Sequence, residues 1–165
     1  MYSGTDTDWT GVELLPDKCL DIYEDDNYEN AEEDVKNFGE VFTPSSLVNE
    51  MLNKLPKEVF TNKEKTFLDN SCGNGQFLFQ VLKRKMDNGI SYRDAISTIY
   101  GVDINQKNVD ECKARLLMGY TNPEWIGIID NNIICADALD ENHKGWRQVG
   151  YMWSGPPVVN TFFDF

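Results

Sequence analysis

Three short apolar runs, each ending on an aspartate, most narrowly limit how this chain folds. Lys65-Thr66-Phe67-Leu68-Asp69, Thr98-Ile99-Tyr100-Gly101-Val102-Asp103 and Asn132-Ile133-Ile134-Cys135-Ala136 before Asp137 read as strands. Helical periodicity separates them. Gln76 to Met86 puts Leu78, Val81, Leu82 and Met86 on one face, and Asn88-Gly89 ends that segment. Ser91-Tyr92-Arg93-Asp94 has the form of a capping box opening a short helix. Asn105 to Met118 is a further helix with Val109, Cys112 and Leu116 inward. Upstream, Thr43 is placed to cap a helix with Pro44 in its first position, carrying Leu47, Val48, Met51, Leu52 and Leu55 before Pro56 closes it. The stretch around Asn122-Pro123 reads as irregular, and Val149-Gly150-Tyr151-Met152-Trp153 as a fourth strand. Alternating strands and helices predict an α/β fold with a parallel sheet, whose ligands sit at the carboxyl ends of the strands. That rule directs attention to Asp69–Gly75, to Asp103-Ile104 and to Asp137-Ala138-Leu139.

With 165 residues, of which 41% are hydrophobic, the chain is the size of one domain with an ordinary core. No run approaches the roughly 18 apolar residues of a membrane-spanning helix. The first residues lack the basic and apolar blocks of a secretory signal, so a soluble protein is expected. Four cysteines without a CxxC pair favour a reducing, cytoplasmic setting, and one histidine leaves little for a metal site or a Ser-His-Asp triad. The net charge of −13 is local: residues 1–40 hold 13 Asp and Glu against 2 Lys. Residues 1–37 therefore read as an acidic N-terminal arm and residues 38–165 as the folded domain. The arm is either a solvated surface or one that pairs with a basic partner or imitates a nucleic-acid backbone. Neither part is basic enough to hold DNA by phosphate neutralisation alone, so nucleic-acid contact must be local or supplied by another chain.

Asp69-Asn70-Ser71-Cys72-Gly73-Asn74-Gly75-Gln76-Phe77 places a glycine turn between strand and helix. Gly73 and Gly75 permit close backbone approach, and the helix start offers unpaired N–H groups to an anion. The dinucleotide fingerprint G-x-G-x-x-G fails because position 78 is Leu. A carboxylate at Asp103 can accept both hydroxyls of a ribose or can cap the following helix. Asp137 can accept from an adenine amino group or can shape a turn. Their joint occurrence with one glycine loop carries the functional reading.

Phe38-Gly39-Glu40-Val41-Phe42-Thr43-Pro44, Phe67 to Gly75, Tyr100 to Asn105 and Cys135-Ala136-Asp137-Ala138-Leu139 together resemble the cofactor-binding motifs of adenine-N6 DNA methyltransferases. The resemblance covers about residues 38–157. It implies a Rossmann-like, doubly wound parallel sheet, of which this chain holds the cofactor half, and S-adenosylmethionine as cofactor. It further implies that Thr43, with Pro44 beside it, holds the methionine carboxylate. Asp69, Ser71 and the Cys72–Gly75 loop, with Phe77 after it, hold the amino-acid part. Asp103 takes the ribose hydroxyls, Ile104 packs on the adenine, and Asp137 and the Ala138 backbone read the adenine amino group. No metal enters this scheme.

Two departures stand out. The family's catalytic element is Asn, Asp or Ser followed by Pro-Pro and an aromatic that stacks on a flipped base. Here Ser154-Gly155-Pro156-Pro157-Val158 puts Gly155 in the acceptor position, beside Pro156 and Pro157, and Val158 in place of the ring. Eight residues follow Pro157, too few for the substrate-reading half of the family. The expectation is therefore a cofactor-binding unit that reaches DNA through a partner chain or an oligomer, as part of restriction-modification. The alternatives are a catalytically impaired partner or regulator and, ranked last, an acidic DNA mimic.

Overall fold

The computed structural model describes residues 43–139. The acidic arm, the segment Phe38–Phe42, the fourth strand expected at 149–153 and the Gly155-Pro156-Pro157 element lie outside the described residues.

The chain runs α1 (Ser45–Leu52), α2 (Glu58–Thr61), β1 (Phe67–Asp69), α3 (Gln76–Asp87), α4 (Tyr92–Ser97), β2 (Ile99–Asp103), α5 (Gln106–Leu117), α6 (Pro123–Asn132) and β3 (Ile133–Cys135). The strands form one parallel sheet in the order β1-β2-β3. Phe67 pairs with Ile99 and Asp69 with Gly101, while Gly101 pairs with Ile133 and Asp103 with Cys135. This is the mixed α/β, partial Rossmann-like arrangement expected from the alternation of strands and helices. Parallel strands need crossover connections, and α3–α4 and α5–α6 supply them.

Each helix follows from local chemistry. Ser91 Oγ accepts from the Asp94 N–H at 3.1 Å and starts α4. Asn105 Oδ1 accepts from the Lys107 N–H at 3.0 Å and starts α5. At the other end of α3, Asn88 caps the helix and Gly89 takes φ 86° in the left-handed region.

The structure corrects three expectations. Thr43 is not the cap of α1: Pro44, at ψ 146°, stands at the N-cap, and no side chain caps the helix. The Asn122-Pro123 stretch is not irregular but opens the ten-residue α6, with Asn122 Oδ1 accepting from the Glu124 N–H at 2.9 Å and Pro123 in the first turn. Asp103 does not cap α5, since Asn105 does so.

One core joins the sheet to its helices. Leu78, Phe79, Val81 and Leu82 of α3 meet Val48 and Leu52 of α1, Ile99 of β2, Cys112 and Leu116 of α5 and Ile129 of α6. Under α4 and α6, Tyr92, Tyr120 and Trp125 form a mutual ring cluster with centroids 4.7–5.0 Å apart, and the Tyr92 hydroxyl donates to the Leu116 carbonyl at 2.8 Å. Away from the strand tips, the fully buried Lys85 donates from Nζ to the Lys65 carbonyl and to Thr98 Oγ1, tying α3 to the starts of β1 and β2. Burial lowers its pKa to about 8. Among the described residues no helix is long and apolar enough to cross a membrane, and no cluster of His, Cys, Asp or Glu could hold a metal ion.

Candidate functional site

Parallel strands end together, so Asp69, Asp103 and the chain just beyond Cys135 arrive at one edge of the sheet. Each of the three aspartates uses Oδ1 in the same way. Asp69 accepts from the Ser71 N–H at 3.1 Å, Asp103 from the Asn105 N–H at 2.9 Å and Asp137 from the Leu139 N–H at 2.9 Å. These are Asx turns, which let the chain leave a strand without losing a backbone donor.

The loops are also stitched sideways. The Cys72 N–H donates to the Val102 carbonyl at 3.0 Å, extending the β1–β2 ladder into the glycine loop. The Gly73 N–H donates to Asp103 Oδ2 at 2.9 Å. The Ala136 N–H donates to the Asp103 carbonyl at 2.9 Å, and Cys135 Sγ to the Ile104 carbonyl at 3.3 Å. Asp103 thus holds the loop after β1 through its carboxylate and the loop after β3 through its main chain. Asn108, buried on α5, reaches its Oδ1 at 3.4 Å.

Glycines shape the loop for steric reasons. Gly75 is the N-cap of α3 with φ 89°, and a Cβ there would lie 2.7 Å from Cys112 Sγ. Gly101, in the middle strand, is the less obvious requirement: its Cβ would lie 2.7 Å from Leu78 Cδ1 and 3.1 Å from Cys72 Sγ. The only sequence signal for Gly101 was a glycine inside a strand pattern. The Cys72 thiol hydrogen-bonds with Cys112, and that bond, burial and the nearby aspartates push its pKa well up, so Cys72 behaves as a packing group rather than a nucleophile.

Asp69 is half-buried, and burial raises its carboxyl pKa to about 6; the Ser71 N–H opposes the shift and the Asp103 charge adds to it. Asp103 is 8% exposed, whereas Ile104 beside it is 56% exposed, an apolar side chain left in solvent at the tip of the middle strand. A buried acceptor flanked by an exposed aliphatic suits a ligand with hydroxyls at one end and a flat apolar face at the other.

The strand-end residues from the sequence analysis fall at this edge. Asp69, Ser71, Cys72, Gly73 and Gly75 line the turn after β1, with Asp103 and Ile104 after β2 and Asp137 and Ala138 after β3. Phe77 is different: it sits in the first turn of α3 and packs against the core. Thr43 is half-buried and Pro44 exposed, just before α1. Asn74 enters the sequence reading only as part of the Cys72–Gly75 loop. Its side chain is fully buried, with no partner for Oδ1 or Nδ2, while its carbonyl accepts from Arg115 Nε at 2.9 Å. Side-chain burial of this kind has no sequence signature.

The family described as N-6 DNA Methylase matches residues 16–164. A relative, the Type II methyltransferase M.VspI of Vibrio sp. (strain 343), is 28% identical over 148 residues. The match takes in 88% of this chain and 31% of that relative, so the chain spans about a third of the length of the relative it matches. No solved structure matches the chain significantly. A family match over most of the sequence places this chain in the N-6 DNA methylase family.

Proposed function

We propose that the chain binds S-adenosylmethionine across the carboxyl ends of β1, β2 and β3 and serves transfer of its methyl group to the N6 of adenine in DNA. The observation that carries this reading is Asp103: a mostly buried carboxylate at the tip of the middle strand, fixed by one backbone donor from the glycine loop and one from the entry to α5, with exposed Ile104 next to it. The donor set fits the cofactor. Asp103 offers carboxylate acceptors to a vicinal diol, Ile104 offers an aliphatic face to a purine, and Asp137 with the Ala138 backbone offers an acceptor and a donor to its amino edge. Asp69 and the Ser71–Gly75 turn would hold the amino-acid end, and Thr43 with Pro44 its carboxylate, while Phe77 backs the turn from the core. When bound, the cofactor supplies an electrophilic methyl carbon on sulfur. The chain's share would be to fix the orientation of that group, with the turn after β1 held in place by Asp103 and the Val102 carbonyl.

Gly155, Pro156 and Pro157 are the residues to which the catalytic role falls. Gly155 has only its backbone carbonyl to offer as an acceptor for the target N–H, and Pro156 and Pro157 follow it in the chain. The missing side chain, with Val158 in the stacking position, favours a second reading. In it the chain binds cofactor but passes catalysis to a partner chain or a second copy, in a restriction-modification context in the cytoplasm. The domain is residues 38–165, and the acidic arm, residues 1–37, is the part whose charge suits a basic partner.

Titration calorimetry with S-adenosylmethionine tests the binding reading, and absence of heat at micromolar protein removes it. Transfer of a labelled methyl group to adenine-containing DNA separates the two readings. Transfer that Pro156→Ala with Pro157→Ala abolishes supports the first, and tight cofactor binding without transfer supports the second.

A further inference from the structure

Among the described residues, Asp103 alone of the three strand-end aspartates accepts from a side chain. Asp69 and Asp137 each take one backbone N–H. Asp103 takes the N–H groups of Gly73 and Asn105 and, at 3.4 Å, Nδ2 of Asn108. The third donor differs in kind. The two N–H groups belong to loop ends that the carboxylate itself ties down, whereas Asn108 is the third residue of the twelve-residue α5 and moves only with that helix. Asn108 is 2% exposed and shares the buried side of α5 with Val109, Cys112 and Leu116. Asparagine is a weak helix former, and an apolar residue there would serve the core better. A polar side chain kept on the buried side is explained by a partner, and Asp103 is one that its amide reaches. At that length the bond adds little energy. Its consequence is placement. A carboxylate has about four lone-pair positions, two on each oxygen. Asn105 and Asn108 take up Oδ1 and Gly73 takes one position on Oδ2, so the remaining acceptor capacity is on Oδ2.

We propose that Asn108 is a positioning residue: it touches no ligand atom, and by holding Oδ1 of Asp103 it leaves Oδ2 as the oxygen that meets the ribose hydroxyls. The inference rests on the cofactor reading above and goes further by assigning the setting of that carboxylate to a residue of α5. Without the amide, Oδ1 keeps only the Asn105 N–H of its own turn, and the carboxylate plane loses its tie to the helix. Hydroxyl recognition then weakens, while contacts to the rest of the ligand stay as they are.

The test compares two probes on the full chain: S-adenosylhomocysteine, and its analogue lacking both ribose hydroxyls. Calorimetry is run on the wild type, Asn108→Leu, Asn108→Ala, Asp103→Ala and the Asp103→Ala, Asn108→Ala pair, with a thermal melt of each. The expected result is a loss of about fivefold or more in affinity for S-adenosylhomocysteine in both Asn108 variants, with the analogue unchanged and a cooperative melt retained. In the Asp103→Ala background, Asn108→Ala should bring no further loss, because its effect passes through that carboxylate. Equal losses for both probes, no loss for either, or an undiminished further loss in the Asp103→Ala background overturns the inference while leaving the cofactor reading intact. Loss of the cooperative melt in both Asn108 variants shows that the amide serves only the fold and also overturns it. A wild type that binds both probes equally removes the ribose role of Asp103 and this inference together, and one that binds neither removes the cofactor reading itself.

Discussion

Asp103 Oδ2 accepts the backbone N–H of Gly73 at 2.9 Å, joining residues 30 positions apart. The same carboxylate takes the Asn105 N–H at 2.9 Å through Oδ1. One side chain therefore sets the glycine loop and the entry to α5 at once. Asp103→Ala leaves both N–H groups without their acceptor. It should lower stability by about 1–3 kcal/mol and cofactor affinity by at least tenfold. Urea melts and calorimetry check the two effects. Asp103→Asn keeps an acceptor for one N–H and should fall between wild type and Ala in stability.

Gly75→Ala places a methyl group where Cys112 Sγ already stands, on a backbone at φ 89°. The expected loss is about 2–4 kcal/mol, combining overpacking with left-handed strain. Adding Cys112→Ala removes the sulfur but neither the Cys112 main chain nor the strain, so the double variant should recover only part of the loss. A double-mutant cycle by equilibrium unfolding measures the recovered part, and full recovery would show that strain contributes nothing.

Lys85 gives the fold a basic-side pH dependence. Its pKa in the fold is about 8, below the value near 10.4 of an unfolded lysine. Between these values the unfolded chain holds a proton that the folded chain does not, so stability rises with pH, by up to about 1.4 kcal/mol per pH unit for one proton. Below pH 8 the whole desolvation penalty is present. Lys85→Met should flatten this rise, and unfolding free energies measured from pH 7 to 10.5 would show it.

Asp69 acts in the acidic range. Its carboxyl titrates at about 6 in the fold, above the usual aspartate value near 3.9. Between the two, the folded chain holds the extra proton, so this residue's contribution to stability falls as pH rises and is least favourable above pH 6. Asp69→Asn keeps an acceptor for the Ser71 N–H and should stabilise the ligand-free chain at pH 7 relative to wild type. Melting curves at pH 4 and pH 7 check the sign: the gain should be larger at pH 7.

The parts of this fold legible in the sequence were those fixed by nearest neighbours. Apolar runs ending in Asp69 and Asp103 gave strands, and Ser91 and Asn105 marked helix starts where hydroxyl and amide caps are found. Helix α6 reads as irregular in the sequence although Asn122 and Pro123 carry a start signal. Gly127 and the pair Asn131-Asn132 dilute its helical character, and it passes into β3 with no turn between Asn132 and Ile133. Thr43 was displaced as a cap because Pro44 holds an extended ψ and takes the cap position itself. At the candidate site, the order of carboxylates could be read along the chain, since parallel strands bring their ends together. The sideways hydrogen bonds from Gly73 to Asp103 and from Ala136 to Asp103, the crowding at Gly101 and the burial of Asn74 could not, because each depends on a neighbour at least 30 residues away or on side-chain packing.

In this sheet β1, β2 and β3 stand side by side in the order in which they are synthesised. Among the described residues each strand pairs with the one before it in the chain, so every sheet contact closes over a single crossover. The ledge that presents Asp69, Asp103 and Asp137 therefore forms from the shortest loop closures that its strand order permits.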